Sequence, residues 1–406
     1  MPARVAFIFC LLAGVAHCAE KPRALPAKQF RICVTGAKHN RPADFPGLGD
    51  FIGWAEGIQR LPNGDLLLVH SAGYGHVSWA SPRRFKGRKD TYPLAPTGGR
   101  SMACRSTDHG KTWSKPFTIM DHRLDDRPDA LLTCRDGTLL CFVNVNASWS
   151  GFHKPPKRFA KDIDGLNDQQ FVIRSKDNGR TWSKPIRIKS PGTFYERAHG
   201  RPIQLRDGKI LWATYCEDVG GPESGGKKLL YAAIHQSKDS GKTWQLLSTV
   251  RRRSRPIDEP AIAMLKTGEL IMVARPDGGV LFSKDHGSTW KETPITVKKH
   301  GPTFRAPQVF VLRDGTVVVF ATWHVYKVGR GVPHLCGWIS RDHGRSWSRG
   351  IALDIDAYGY PGGFVMKDES ILLSYCESAK APNRVFVLRV KVNAKRTGME
   401  LLKIGG

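Results

Sequence analysis

Ser106-Thr107-Asp108-His109-Gly110-Lys111-Thr112-Trp113 is the first of five copies of one eight-residue pattern. The others are Ser175-Lys176-Asp177-Asn178-Gly179-Arg180-Thr181-Trp182, Ser237-Lys238-Asp239-Ser240-Gly241-Lys242-Thr243-Trp244, Ser283-Lys284-Asp285-His286-Gly287-Ser288-Thr289-Trp290 and Ser340-Arg341-Asp342-His343-Gly344-Arg345-Ser346-Trp347. Each copy has the chemistry of a hairpin turn. The carboxylate accepts hydrogen bonds from turn amides, the glycine takes a positive φ, and the tryptophan buries a large face. Successive aspartates stand 69, 62, 46 and 57 positions apart. That is the size of one supersecondary unit with loops of varying length.

A second repeat runs between the boxes. Asn63-Gly64, Asp136-Gly137, Asp207-Gly208, Thr267-Gly268 and Asp314-Gly315 each precede an apolar run, such as Thr316-Val317-Val318-Val319-Phe320. Asp368-Glu369-Ser370, followed by Ile371-Leu372-Leu373, makes a sixth. The unit therefore reads strand, tight turn, strand, loop, strand, box, strand. Six such units predict an all-β chain, a six-bladed β-propeller of four-stranded antiparallel blades spanning residues 30–392. Residues 29–34 or 384–392 are placed to complete a blade shared by the two ends. Residues 19–29 read as a short linker and 393–406 as a C-terminal tail.

Composition narrows the function classes. The chain has 406 residues, a formal net charge of +27 and 40% hydrophobic residues. That apolar content excludes a disordered chain. Residues 5–15, behind Arg4 and ahead of Ala16-His17-Cys18, read as the apolar core of an export signal over residues 1–18. The expected location is secreted or periplasmic, and His17 disfavours lipid anchoring at Cys18. Beyond this segment no apolar run approaches the roughly 20 residues of a spanning helix, so no integral membrane segment is expected after its removal. Seven cysteines remain, an odd number without a CxxC pair, so at least one thiol is free and no metal site is expected. Nothing in the motifs calls for a cofactor. The basic run Arg251-Arg252-Arg253-Ser254-Arg255 is short, and it reads as a solvated face; nucleic acid is not an expected partner.

Chemistry in a propeller belongs at the channel mouth, where the innermost strands begin. Counting ten residues back from each turn glycine, or from Glu369 in the sixth unit, gives Trp54, Arg127, Ala198, Asp258, Arg305 and Gly359. Their neighbours include Glu56, Asp126, Asp129, Arg197, His199, Arg201, Glu259 and Tyr360. Converging arginine, carboxylate and tyrosine groups suit a carboxylated sugar, because arginine offers a carboxylate a two-pronged donor.

The five repeats are the Asp-boxes of sialidase-type propellers, and nearly the whole chain past residue 18 resembles the sialidase/neuraminidase superfamily. Asp258-Glu259-Pro260, with Arg275 sixteen residues beyond Glu259, resembles the fourth-blade segment. Tyr358-Gly359-Tyr360-Pro361-Gly362-Gly363 resembles the last-blade segment that carries the nucleophile. Gly200-Arg201-Pro202-Ile203-Gln204-Leu205 resembles a third-blade element. The resemblance implies Tyr360 as nucleophile with Tyr358 close behind, Glu259 as the carboxylate that activates it, and Arg275 as a substrate clamp. Arg330 stands near the place of another clamp and Arg305 competes with it. Arg127, Arg201 and His199 complete the candidate substrate contacts.

Two positions depart from the family pattern. Trp54 stands where the first-blade arginine is expected, while Phe30-Arg31-Ile32-Cys33 mimics that motif 33 residues before Gly64. Asp90, the only aspartate between Asp65 and the first box, takes the place of the acid/base residue. The implied activity is that of a retaining exo-glycosidase removing sialic acid or a related acidic sugar from glycans, its partner being an acidic glycan or sialoside. A non-catalytic propeller binding acidic glycans, or a hydrolase or lyase of a uronic or sulfated sugar, would share much of this pattern. Glu259 and Arg275 would then be a structural ion pair, and the two tyrosines would fill the channel.

Overall fold

A computed structural model describes residues 24–36, 51–73, 100–121, 125–146, 168–218, 220, 230–253, 255–297, 303–327, 330–355, 357–377 and 384–405. Blade one runs Phe51–Arg60, Leu66–Gly73, Arg100–Ser106 and Phe117–Met120, from the innermost strand outward. Blade two runs Asp125–Thr133, Leu139–Asn146, Asp168–Ser175 and Ile186–Ile188. In blade three the innermost strand is broken into Tyr195–Arg197 and Ile203–Gln204, followed by Ile210–Glu217, Tyr231–Ser237 and Gln245–Val250. Blade four comprises Asp258–Met264, Leu270–Arg275, Gly279–Ser283 and Lys291–Thr296; blade five comprises Thr303–Val311, Val317–Lys327, Arg330–Ser340 and Ile351–Ile355. Strands within each blade pair antiparallel, and the fold is the expected six-bladed propeller.

Blade six holds Gly359–Val365, Ile371–Cys376 and Arg384–Val392. Its outer edge is covered twice: Ile32–Gly36 pairs with residues 384–387, and Met399–Leu402 pairs with residues 389–392. Both ends of the described chain thus close the ring on one strand. Residues 393–406, read above as a tail, contribute a strand. The segment read as a linker docks on blade five, where Leu25 N–H donates to Ala352 O (2.9 Å) ahead of a 3-10 turn at Ala27–Gln29.

The apolar runs reflect burial on both faces of each blade. Side chains alternate along a strand, so Val318 and Phe320 enter the core between blades five and six, while Val317 and Val319 enter the core between four and five. Six such cores lie at the six seams. Each box tryptophan serves the seam preceding its own blade: Trp113 packs against the core between six and one, Trp182 between one and two, Trp244 between two and three, Trp290 between three and four, and Trp347 between four and five. The seam between blades five and six receives no box tryptophan. Leu25, Ala27, Phe30, Met399 and Leu401 pack there instead.

The boxes are self-contained turns. In the first, Gly110 N–H donates to Ser106 Oγ (2.8 Å), and the Asp108 carboxylate accepts the Thr112 amide (2.9 Å) and the Thr112 hydroxyl (2.5 Å). His109 and Gly110 take φ of 63° and 93°, two successive left-handed residues as in a type I′ turn. In the fourth box the equivalent bonds from Thr289 and Ser283 hold Asp285 at about 2 although it is exposed. The carboxylates are engaged by their own turns. The basic run is similarly engaged: Arg252 pairs with Asp277 and Glu292, Arg255 with Asp277, and Arg251 lies 3.5 Å from the Tyr231 ring centroid. All seven described cysteines are free thiols, six of them buried.

Candidate functional site at the channel mouth

The innermost strands share an irregularity near the channel mouth. Their pairing slips between Gly53 and Gly57, Pro128 and Ala130, Asp258 and Ala261, Arg305 and Gln308, and Gly359 and Gly362; in blade three the strand breaks over residues 198–202. A bulge turns a side chain out of the alternating pattern. Here it re-aims Glu56, Asp129, Glu259 and Tyr360. Such bulges bring neighbouring backbones close. A Cβ on Gly200 would sit 2.3 Å from Pro260 O, and one on Gly362 would sit 1.8 Å from Glu56 O.

Tyr360 and Glu259 meet. The Tyr360 hydroxyl donates to Glu259 Oε1 (3.0 Å), Arg275 Nη1 donates to the same oxygen (2.8 Å), and the Ala306 amide donates to Oε2 (2.7 Å). Asp258 Oδ2 lies 3.4 Å from Arg275 Nη1. Burial acts to raise the Glu259 carboxyl, but Arg275, His199, the Ala306 amide and the Tyr360 hydroxyl hold it below its ordinary value. Tyr360 itself is pushed well above its ordinary value by burial and by the charges of Glu259 and Tyr358. Glu259 is therefore an ionised base in contact with a protonated phenol.

Tyr358 stacks on Tyr360 with ring centroids 5.2 Å apart, and Arg305 Nη1 donates to the Tyr358 hydroxyl (3.2 Å). Thr322 accepts the Tyr360 amide at its hydroxyl (3.1 Å) and donates to Tyr358 O (2.7 Å), fixing this segment. His199 sets its ring edge against Tyr360 with centroids 4.9 Å apart. Its Nδ1 lies 2.8 Å from Glu56 Oε1, and its Nε2 lies 3.9 Å from Glu259 Oε1. Burial, with Asp129 and Glu259 nearby, pushes Glu56 well above its ordinary value. Burial lowers His199 to about 4, with Glu259 opposing and Arg197, Arg275 and Arg127 reinforcing the shift. One proton is thus held between Glu56 and His199.

The structure brings together Tyr360, Glu259, Arg275, Tyr358, Arg305 and His199. Arg127 is buried in blade two and acts on His199 through its charge. Arg201 goes elsewhere. Its guanidinium stands 5.0 Å from the Phe310 ring centroid, burial lowers it to about 10, and its described contacts reach neither Glu259 nor Tyr360. Arg330 opens the third strand of blade five opposite Lys327, and its side chain lies outside the described residues. Asp90 also lies outside them, as does the Trp54 side chain. Arg31 is not a clamp: it pairs with Asp354 of blade five (2.8 Å) and with Glu377 at the end of a blade-six strand (3.2 Å). Counting had put Glu56 near the mouth without a role; its partner, His199, is 143 positions away. The Ala306 amide, a backbone donor, carried no sequence signal.

A six-bladed propeller with boxes at its outer turns and a tyrosine–glutamate couple in its channel is of the sialidase-like class. The BNR repeat-like domain model matches residues 100–373, and the chain belongs to that family. Among curated proteins it is similar to a sialidase of Bacteroides fragilis, 28% identical over 46% of this chain and 36% of that one. It is also similar to a sialidase of Clostridium perfringens, 25% identical over 59% of this chain and 62% of that one. The chain thus spans between about a third and three-fifths of the length of these relatives. In fold it resembles a protein of unknown function from Dyadobacter fermentans (TM-score 0.64, 18% identity, 88% and 96% covered). It also resembles the Hadza microbial sialidase Hz136 (0.63, 20%, 86% and 67%) and an α-L-arabinanase of Penicillium chrysogenum (0.52, 14%, 89% and 98%).

Proposed function

We propose that this protein is a retaining exo-glycosidase that uses Tyr360 as nucleophile and acts on sialic acid or a related acidic sugar. The observation that carries this reading is the Tyr360–Glu259 hydrogen bond of 3.0 Å, with Glu259 kept ionised by Arg275 and the Ala306 amide. A neutral phenol is a weak nucleophile and needs an adjacent base. As the phenol oxygen attacks the anomeric carbon, its proton passes to Glu259. When water later displaces the tyrosine, Glu259 returns that proton. A phenol also avoids placing an anionic nucleophile against an anionic substrate, which is why sialidases depart from the two-carboxylate scheme.

Arg305 supports the acidic-sugar part of the reading. Its described hydrogen bond goes to a tyrosine hydroxyl, whereas Arg275 is engaged by two carboxylates. Arg305 is therefore the guanidinium best placed to receive a substrate carboxylate. Residues 1–18 serve on this reading as an export signal, which would put the enzyme where extracellular or periplasmic glycans are met. The test is hydrolysis of a fluorogenic sialoside, alongside uronides, sulfated glycosides and arabinosides, by wild type and Tyr360→Phe. Release by the wild type with retention of anomeric configuration, and loss in Tyr360→Phe, is expected. No turnover across the panel would overturn the reading and leave the fold untouched.

A further inference from the structure

A retaining glycosidase needs a second proton-transfer group besides its nucleophile's base. That group protonates the departing oxygen and later deprotonates water. Glu259 cannot fill the role, since it is committed to the Tyr360 proton. One other couple in the described channel reaches the same space. His199 lies between Glu56 of blade one and Glu259 of blade four, its ring edge against the Tyr360 ring. Its Nδ1 is taken by Glu56, and its backbone carbonyl accepts from Gln308 of blade five. Its Nε2 makes no hydrogen bond to any described residue; the carboxylate oxygen Glu259 Oε1 lies 3.9 Å from it. The Glu56 side chain is fully enclosed, while His199 retains 8% exposure, so His199 is the end of the couple open to the channel.

We propose that His199, backed by Glu56, is the proton-transfer group for the departing glycosidic oxygen and for the incoming water. The inference rests on the glycosidase reading above. In the first step the Tyr360 oxygen bonds to the anomeric carbon and the glycosidic bond breaks. The phenol proton goes to Glu259, the His199 Nε2 proton goes to the departing oxygen, and the Glu56 proton moves to Nδ1. Glu56 is left as a carboxylate beside a neutral imidazole. In the second step water bonds to the anomeric carbon, the tyrosine departs and regains its proton from Glu259, and a water proton passes to Nε2 as the Nδ1 proton returns to Glu56. Charge and protons balance over the cycle without a further reactant.

The surroundings suit this shuttle. Glu56 of blade one meets Nδ1; Glu259 of blade four favours a proton on the ring, while burial and Arg197 of blade three, Arg275 of blade four and Arg127 of blade two disfavour it. Tyr215 stacks on the other side with centroids 6.0 Å apart, and Tyr360 of blade six closes the set. Opposed fields of this kind push two carboxyls apart in proton affinity: Glu259 is held ionised and Glu56 neutral. Two titrating groups so separated mark an acid and a base.

Leaving-group dependence tests the assignment. On an unactivated disaccharide, His199→Ala is expected to lower kcat/KM about 10²–10⁴-fold, the range general acid–base catalysis supplies. On a dinitrophenyl glycoside of the same sugar, whose leaving group needs no proton, the loss should stay below about tenfold. Glu56→Gln keeps a donor to Nδ1 but removes the stored proton, so it should show the same split and lose the alkaline limb of the pH profile. Equal losses on both substrates, or a Glu56→Gln profile like that of the wild type, would mean that His199 only packs the channel and would overturn the proposal. A wild type inactive on both glycosides would instead defeat the glycosidase reading itself and take this assignment with it.

Discussion

Glu259 and Tyr360 hold the same backbone conformation, with φ of 47° and 51°, each just before a proline and each inside the bulge of an innermost strand. Ala306, in the blade between them, does the same at 43°, and its amide thereby reaches Glu259. Left-handed conformations are unfavourable for side chains of this size and persist where the surroundings over-determine them. Three adjacent blades thus use one device to point groups at one place. The two halves of the couple should nevertheless respond differently to substitution. Tyr360→Phe removes one hydrogen bond and leaves Glu259 with Arg275 and the Ala306 amide, so stability should change by no more than about 1 kcal/mol while turnover is lost. Glu259→Gln leaves Arg275 with Asp258 alone, and should lose both activity and stability, the latter by about 1–3 kcal/mol. Paired denaturant melts and sialoside kinetics check this; a large destabilisation by Tyr360→Phe would show that the phenol is structural.

Glu56 makes a pH prediction with a definite sign. Its proton affinity is raised in the folded state by burial and by Asp129 and Glu259. A carboxyl of this kind stabilises the fold fully below its unfolded value, and that contribution is lost as pH rises toward the folded value. Buried neutral histidines such as His70, held at about 4, act oppositely, costing stability as pH falls below their unfolded value. Comparing wild type with Glu56→Gln separates the two effects. The variant should gain in relative stability from pH 5 to pH 8, measured as the difference in urea midpoint. A difference that stays flat across that range would show that Glu56 is ionised in the folded protein.

Arg305 stands at a counted mouth position and Arg201 three residues past another, Ala198, and the two face different surroundings. Arg305 sits on the Tyr358–Tyr360 stack, whereas Arg201 lies over the Phe310 ring. A hydrogen bond from a charged donor contributes about 1.5–3 kcal/mol, equivalent to about 10–150-fold in binding. Arg305→Ala should raise KM for an acidic glycoside by about that factor, and Arg201→Met should leave KM within about twofold. Steady-state kinetics decide; an Arg201→Met enzyme with the larger KM effect would put the substrate carboxylate deeper in the channel.

Much of this fold was legible because its signals are local. Each box is a turn closed by its own serine, aspartate and threonine, and each apolar run is a strand buried on both faces. Counting back from the turn glycines located the mouth because five innermost strands bulge at nearly the same register. In blade three the neighbour of the counted position, Arg201, does not join the site, since the inner strand breaks there where the others bulge. Contacts between distant segments were not legible. Glu56 of blade one finds His199 of blade three with the whole of blade two between them along the chain, and no local pattern encodes that pairing.

Arg31 shows how a motif can match a family pattern and carry a different role. Phe30-Arg31-Ile32-Cys33 lies beside the first strand, but that strand belongs to blade six, so Arg31 closes the ring there. Its guanidinium stacks 3.9 Å from the Phe386 centroid and pairs with Asp354, which also accepts the Tyr375 hydroxyl (2.7 Å). Asp354 is buried, with 2% exposure, so removing Arg31 strands a carboxylate in the seam. Breaking one side of a buried pair costs about 3–5 kcal/mol. Arg31 retains some exposure and Tyr375 remains as a donor, so the lower end, about 3 kcal/mol, is expected for Arg31→Ala. KM should not move, because Arg31 stands at the outer edge of blade six, whereas Tyr360 stands on its innermost strand. A variant that melts like the wild type while its KM rises would return Arg31 to the substrate, and would require the ring to close differently from the way these strands pair.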